Sequence, residues 1–253
     1  MGSAASLQMI KALIFDFDGI IIDSESPELQ VWQEVFAEHG RELGLDLWAD
    51  LVGRPSNHFD LYSYFHQNVN PETDIDALRL ERRARVIALT EAQPVLPGVR
   101  DYLRDASAIG LKIGLAASSS GGHVRGHLAR LELLSYFHTT KCFEDTETHK
   151  PDPAPYRAVL DELGVAPHEA VAFEDSPNGI TSAQAAGIFC VVVPNPVTRC
   201  LTLDRADHRM ESLADEPLQR VLARAEGAKL SPVEPPGVIR NRSTSRKSAK
   251  GKS

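Results

Sequence analysis

Cysteine is scarce in this chain: Cys142, Cys190 and Cys200 are its only three, irregularly spaced and without a CxxC pair. That excludes a disulfide framework and a cysteine-built zinc site. It points to a reducing compartment, so a cytoplasmic location is expected. No apolar run approaches the roughly 20 residues needed to span a bilayer. The N-terminus has no charged region followed by an apolar one, so secretion is not expected. No internal repeat is present.

The net charge of -8 is unevenly distributed. Residues 240–253 hold six basic residues and no acidic one, which leaves 21 basic against 35 acidic residues in the rest of the chain. Pro232, Pro235, Pro236 and Gly237 precede this segment. Residues 229–253 therefore read as a disordered basic tail, solvated rather than engaged with nucleic acid or membrane. The opening Met1-Gly2-Ser3-Ala4-Ala5-Ser6 satisfies the short N-myristoylation pattern. Small residues are common at frayed termini, however, and no membrane partner is expected.

What the chain does have is a composition ordinary for a globular protein, 42% hydrophobic and 25% charged, over 253 residues. That length suffices for a main domain and a small one. Ala12-Leu13-Ile14-Phe15 runs into Asp16-Phe17-Asp18-Gly19. Residues two apart in a strand face the same side, so Asp16 and Asp18 leave the strand end together. Two carboxylates that close repel each other and invite a divalent cation or a shared proton.

The spacing predicts a strand over 11–15 and a helix over 28–39, with Leu29, Trp32, Val35 and Phe36 on one face and Gly40 as its stop. From there to residue 93 no strand signal is strong. Helices over 45–51, 59–66 and 75–91 form a helical insertion. After Pro94-Val95-Leu96-Pro97-Gly98 the pattern alternates. A helix over 99–109 and a strand over 111–117 lead to Ser118-Ser119-Ser120-Gly121-Gly122. A helix over 123–134, a strand over 139–143, the Lys150 loop and a helix over 154–163 follow. A strand over 170–173, ending in Glu174-Asp175, precedes a helix over 180–186 and a strand over 188–193. Such alternation implies an α/β fold, a parallel sheet with helices on both faces.

Ligands of open parallel sheets bind beyond the carboxyl ends of the strands. Asp16 and Asp18 follow one strand, the serine run another and Glu174-Asp175 a third, while Lys150 lies on a loop. Together they offer acidic residues, a cation, and hydroxyl and amide donors around one crevice. That set suits a phosphoryl group: a metal and a lysine neutralise its oxygens while a carboxylate attacks phosphorus in line. Taken singly, the serines have a plain linker as a rival reading, Lys150 reads as a surface lysine, and Glu174-Asp175 has a helix cap as its rival reading. Their joint order is what lifts them.

Asp16-Phe-Asp-Gly-Ile-Ile-Ile-Asp23-Ser24-Glu25, the serine run, Lys150-Pro-Asp-Pro and Phe173-Glu-Asp-Ser-Pro-Asn-Gly179 resemble the four motifs of the haloacid dehalogenase superfamily. More narrowly they resemble the branch that holds β-phosphoglucomutase and small phosphosugar phosphatases. The resemblance covers about residues 10–215. It implies a Rossmann-like three-layer core with an inserted helical cap: core from 1–26 and 94–228, cap from 27–93. It implies Asp16 as the nucleophile that forms an aspartyl-phosphate, and Asp18 as general acid for the leaving oxygen and then base for water. Mg2+ would be held by Asp16, the Asp18 carbonyl, Glu174 and Asp175. Lys150 would orient nucleophile and phosphate, and Ser118 and Ser119 would bind phosphate. For Asp18 to donate first it must be protonated, which desolvation by a closed cap would favour.

The second motif departs from the family, because the usual serine falls on Ala117. Either Ser118 takes the hydroxyl role through a one-residue shift, or backbone amides at Ala117 bind that oxygen. The cap departs too. Mutase-like relatives carry Lys-Gly-x-x-Arg in the cap loop and a histidine after the first motif; here stand Val52-Gly53-Arg54-Pro55-Ser56 and Glu28. Arg54 could compensate by binding phosphate bidentately. Glu28, Arg54 and Asn57 are the candidates for substrate selection.

The expected activity is Mg2+-dependent hydrolysis of a small phosphate ester, a phosphosugar, by a monomer with no nucleic-acid partner. The alternatives are a β-phosphoglucomutase-type mutase and a catalytically silent binding module. Other features read plainly. His123 and His127 are expected on an exposed helix face, with no third metal ligand nearby. Trp32, Phe36, Trp48, Tyr62 and Phe65 are expected in a cap core, and Arg82, Arg83 and Arg85 on a solvated helix face.

Overall fold

Strand β1 (Ala12–Phe15) is buried at every residue, as its unbroken apolar sequence demands of a central parallel strand. In the computed structural model, which describes residues 9–45, 47–48 and 60–228, β1 sits inside a six-stranded sheet. Its other strands are β2 (Lys112–Ala116), β3 (Thr139–Lys141), β4 (Ala170–Glu174), β5 (Phe189–Val192) and β6 (His208–Arg209), in the order β3-β2-β1-β4-β5-β6. Every pairing is parallel. Phe15 lies opposite Leu115 on one side and Phe173 on the other, so β1, β2 and β4 end at one level.

Alternation along the strands divides the core into two layers. Leu13, Phe15, Val171 and Phe173 face one layer, with residues of α4 (Val99–Ala108), α5 (Gly121–Arg130) and α9 (Leu218–Ala228). Ala12, Ile14, Ala170 and Ala172 face the other, with α7 (Ala154–Leu163) and α8 (Pro177–Ala185). With the sheet this makes the Rossmann-like three-layer arrangement expected from the sequence.

A third apolar cluster is built from α1 (Glu25–Glu38), α2 (Leu61–Asn68) and α3 (Ile75–Glu91). Trp32, Phe36, Trp48 and Phe65 lie in it, with Tyr62 packed against it. Asp60 and Asp74 cap α2 and α3, each accepting from two backbone N–H groups. Arg82 and Arg85 are not simply solvated. Arg82 stacks over Trp32 and Tyr62 and pairs with Glu28. Arg85 pairs with Glu34 and Glu38, tying α3 to α1.

Several boundaries shift for local reasons. Helix α1 starts at Glu25, three residues before its expected start, where Asp23 accepts from the Ser26 N–H; the expected core–cap boundary thus falls inside α1. Helix α5 starts at Gly121 because Ser120 caps it, and it ends at Arg130, short of 134, as Glu132 turns the chain with φ +58°. Ser176 likewise starts α8 at Pro177. The strand expected over 139–143 stops at Lys141, since the Cys142 N–H goes to Asp145 Oδ2 and Phe143–Thr146 forms the short helix α6. The helix expected over 45–51, the start of that over 59–66, the myristoylation-like N-terminus and the basic tail lie outside the described residues, wholly or in part.

Candidate active site

A cavity of about 750 Å3 opens over the ends of β1, β2 and β4. Asp16, Asp18, Ser118, Ser119, Lys150 and Asp175 line its core side, and Glu25, Glu28, Trp48, Val86 and Thr90 its cap side. The common level of the three strands puts Asp16, Ser118 and Glu174 side by side although they are far apart in sequence.

Lys150 Nζ lies 2.7 Å from Asp16 Oδ1 and 2.6 Å from Glu174 Oε1. Asp16, Glu174 and Asp175 are buried and each offers an oxygen within 4.8 Å of the others. Burial pushes the Asp16 carboxyl well above its ordinary pKa, and Glu174 and Asp18 push further, against the pull of Lys150. Burial, Glu25 and Asp16 do the same to Asp175. Burial opposes the Lys150 ammonium, yet Asp16 and Glu174 outweigh it and hold its pKa above the usual value. One ammonium facing three buried carboxylates leaves an excess of negative charge, and hard oxygen donors in that excess fit a divalent cation such as Mg2+.

Asp18 behaves differently. Burial pushes its pKa up, but His123, Ser119 and Ser24 outweigh it and hold the group below its usual value. Ser24 Oγ donates to Asp18 Oδ1 at 2.6 Å, Ser119 Oγ donates to Oδ2, and His123 Nε2 lies 3.5 Å from Oδ1. The protonated Asp18 expected from desolvation is thus not the form this arrangement favours, because three donors stabilise the anion.

The Ala117 N–H donates to Lys141 O at 2.9 Å and is spent in the sheet. Ser118 Oγ accepts from the Lys150 N–H at 3.1 Å and lines the cavity, which leaves its own proton to donate. Ser119 turns its hydroxyl to Asp18 instead. Of the cap candidates, Glu28 lines the cavity and pairs with Arg82; Arg54 and Asn57 lie outside the described residues.

His123 and His127 do not sit on an exposed face. His127 is 9% exposed, His123 lines the cavity, and both rings pack on Phe17. Glu25, at the end of the first motif, lines the cavity, and burial with Asp18, Asp23 and Glu28 raises its pKa to about 7. Two further residues carried no sequence signal of a site. Tyr156 OH donates to Glu174 Oε1 at 2.6 Å. Asn195 Nδ2 donates to Asp175 Oδ2 at 2.7 Å, while its Oδ1 accepts from the Val197 and Thr198 N–H groups. Val197 packs in the cap cluster, so one loop touches both the acidic site and the cap.

The haloacid dehalogenase-like hydrolase family matches residues 13–193. The chain belongs to that family. This hydrolase is 42% identical over 214 residues to YhcW of Bacillus subtilis, named as a candidate phosphatase, covering 85% of this chain and 97% of the relative. It is 30% identical over 180 residues to a phosphorylated carbohydrates phosphatase of Thermotoga maritima, covering 71% and 82%. The crystal structure of CbbY from Rhodobacter sphaeroides in complex with phosphate superposes on the hydrolase with a TM-score of 0.64 at 27% identity, covering 82% of this chain and 96% of CbbY. The core of the hydrolase and its motif order therefore agree with the family expected from the sequence.

Proposed function

We propose that this hydrolase is a Mg2+-dependent phosphatase that cleaves a small phosphate ester, a phosphosugar, through an aspartyl-phosphate on Asp16. The observation that carries the reading is that Asp16, Lys150 and Asp175 line one cavity with Asp18 and Ser118, with Glu174 buried directly behind them and paired to Lys150. Relatives named for phosphorylated carbohydrates and hexitols support the substrate class.

Asp16, the Asp18 carbonyl, Glu174 and Asp175 would hold Mg2+, which when bound neutralises charge on the phosphoryl oxygens. Asp16 attacks phosphorus only as a carboxylate, so its raised pKa must be brought down by cations, and Lys150 supplies one of them. The bond from phosphorus to the leaving oxygen breaks as the bond to Asp16 Oδ forms, and Asp18 gives that oxygen its proton. Asp18 must first take a proton from solvent, giving up the His123, Ser119 and Ser24 contacts that hold its anion, as substrate enters. It then takes a proton from the water that hydrolyses the phosphorylated Asp16. Ser118 donates to a phosphoryl oxygen.

Residues 1–26 and 94–228 form the catalytic core in this reading, and 27–93 the cap that selects substrate. Glu28 stands where mutase-like relatives carry a histidine, and the cap loop lacks the lysine and arginine of their motif, which favours hydrolysis of a monophosphate over exchange within a bisphosphate. The reading extends to a monomeric cytoplasmic enzyme without nucleic-acid or membrane partners. The free thiols of Cys142, Cys190 and Cys200 and the acidic body are in keeping with it. Among the described residues no helix is long and apolar enough to cross a membrane.

The test is Mg2+-dependent hydrolysis of p-nitrophenyl phosphate that vanishes in Asp16→Asn, followed by a panel of phosphorylated metabolites. Turnover of a hexose 1-phosphate to the 6-phosphate without release of inorganic phosphate would instead establish a mutase.

A further inference from the structure

Tyr156 lies beneath the cavity rather than in its lining, and no catalytic step above uses it. It stands on α7 and is fully buried. Its hydroxyl donates to Glu174 Oε1 at 2.6 Å, and Lys150 Nζ stands 5.2 Å from its ring centroid. Glu174 Oε1 therefore accepts from a phenol and an ammonium at once. Among the described residues its Oε2 receives the Asp175 N–H, at 3.3 Å. On the far side the carboxylate is flanked by Gly179, where a Cβ would collide with both of its oxygens.

We propose that Tyr156 is a positioning residue for the metal side of this site. Its hydroxyl holds the Glu174 carboxylate in place beside Asp16 and Asp175, and its ring face holds the Lys150 ammonium between Glu174 and Asp16. The inference rests on the phosphatase reading for the presence of Mg2+.

Asp16 and Glu174 compete for one ammonium. Lys150 has two carboxylate partners at nearly equal distance. A second donor on Glu174 satisfies part of that carboxylate and lessens its hold on the ammonium, leaving Lys150 shared with Asp16. Without the phenol, Glu174 draws Lys150 away from Asp16 and is free to rotate. Partners that orient a metal ligand are worth about 10–100-fold in metal affinity or activity, and a cation over a ring face adds a weaker hold.

The experiment titrates Mg2+ into the metal-free full-length protein by calorimetry, for the parent, Tyr156→Phe and Tyr156→Leu. Phenylalanine keeps the ring and loses only the hydroxyl. The expected result is a Mg2+ dissociation constant weakened about 10–100-fold in Tyr156→Phe, with the KM for p-nitrophenyl phosphate unchanged at saturating Mg2+. Tyr156→Leu also loses kcat at saturating Mg2+, because Lys150 is no longer held. In a Glu174→Gln background, Tyr156→Phe is expected to change Mg2+ binding by less than about twofold, a coupling that a merely structural tyrosine would not show. Melting temperatures without Mg2+ check that each variant folds. Mg2+ binding and kcat in Tyr156→Phe within twofold of the parent would overturn the inference while leaving the phosphatase reading intact. A parent that binds Mg2+ more tightly than Tyr156→Phe, yet turns over no phosphate ester, would remove the phosphatase reading and leave the role of Tyr156 standing.

Discussion

Lys150 Nζ stands 2.7 Å from Asp16 Oδ1, with both side chains almost wholly out of solvent. Removing one partner of a buried pair leaves the other uncompensated, at a cost of about 3–5 kcal/mol. Lys150→Met is therefore expected to lower stability by about that amount in urea unfolding and to cut turnover by at least about 100-fold, as expected when charge stabilisation of the reacting group is lost. Mg2+ should return part of the stability, because it opposes the same three carboxylates.

Asp16→Asn acts in the opposite sense on the fold. It removes one of three mutually repelling carboxylates, one whose pKa is already raised by burial and by Glu174. Turnover should fall below detection, while the melting temperature without Mg2+ should not drop. Retained hydrolysis would exclude Asp16 as nucleophile.

Protons and Mg2+ should compete. The Glu25 pKa rises from 4.5 to about 7 in the metal-free fold, through burial and then Asp18, Asp23 and Glu28. For an acid raised on folding, the native state holds the proton more tightly than the unfolded chain. Its contribution to stability is present below about pH 4.5 and is lost as pH climbs through about 7. Asp16 and Asp175 are raised as well, so Mg2+ binding should release protons and tighten as pH rises. Calorimetry in two buffers of different ionisation enthalpy measures the release. Glu25→Gln should flatten the pH dependence of the melting temperature between the two limits.

Arg82 joins α3 to α1 through Glu28, donates to Tyr62 OH at 2.6 Å, and lies 5.1 Å from the Trp32 ring centroid. Arg82→Ala should cost about 1–3 kcal/mol in chemical denaturation. It should also raise the KM for substrate more than it lowers kcat, since Glu28 loses its partner at the cavity wall. Equal loss of kcat with KM unchanged would contradict a role for Glu28 in substrate selection.

Gly179 leaves no room for a side chain against the Glu174 carboxylate. Gly179→Ala should displace Glu174 and weaken Mg2+ binding, by about 10-fold or more if Glu174 is a ligand. Unchanged binding by calorimetry would show that Glu174 does not hold the metal.

The sequence alone determined the elements whose cause is local. The apolar run of β1 followed by Asp16 and Asp18, the period of α3 and α7, and the strand leading to Glu174 and Asp175 all follow from side-chain spacing along a few residues. The order of these pieces was enough to identify the family and to name Asp16, Asp18, Lys150, Glu174 and Asp175 together. Neither α9, although Leu218, Val221 and Ala225 share its buried face, nor β6, which at two residues has no period, is among the elements expected from the sequence.

Only the tertiary structure decided what these groups touch. Ser119 reaches Asp18 across 101 residues of sequence, and Tyr156 meets Glu174 from another element. His127 is buried and Glu25 stands in the cavity because the sheet, α1 and α5 converge on one edge. Those contacts set the charge balance, lowering Asp18 while raising Asp16, and no spacing along a chain encodes them. Burial and proximity across distant segments fix the electrostatics, and these exist only once the strands lie side by side.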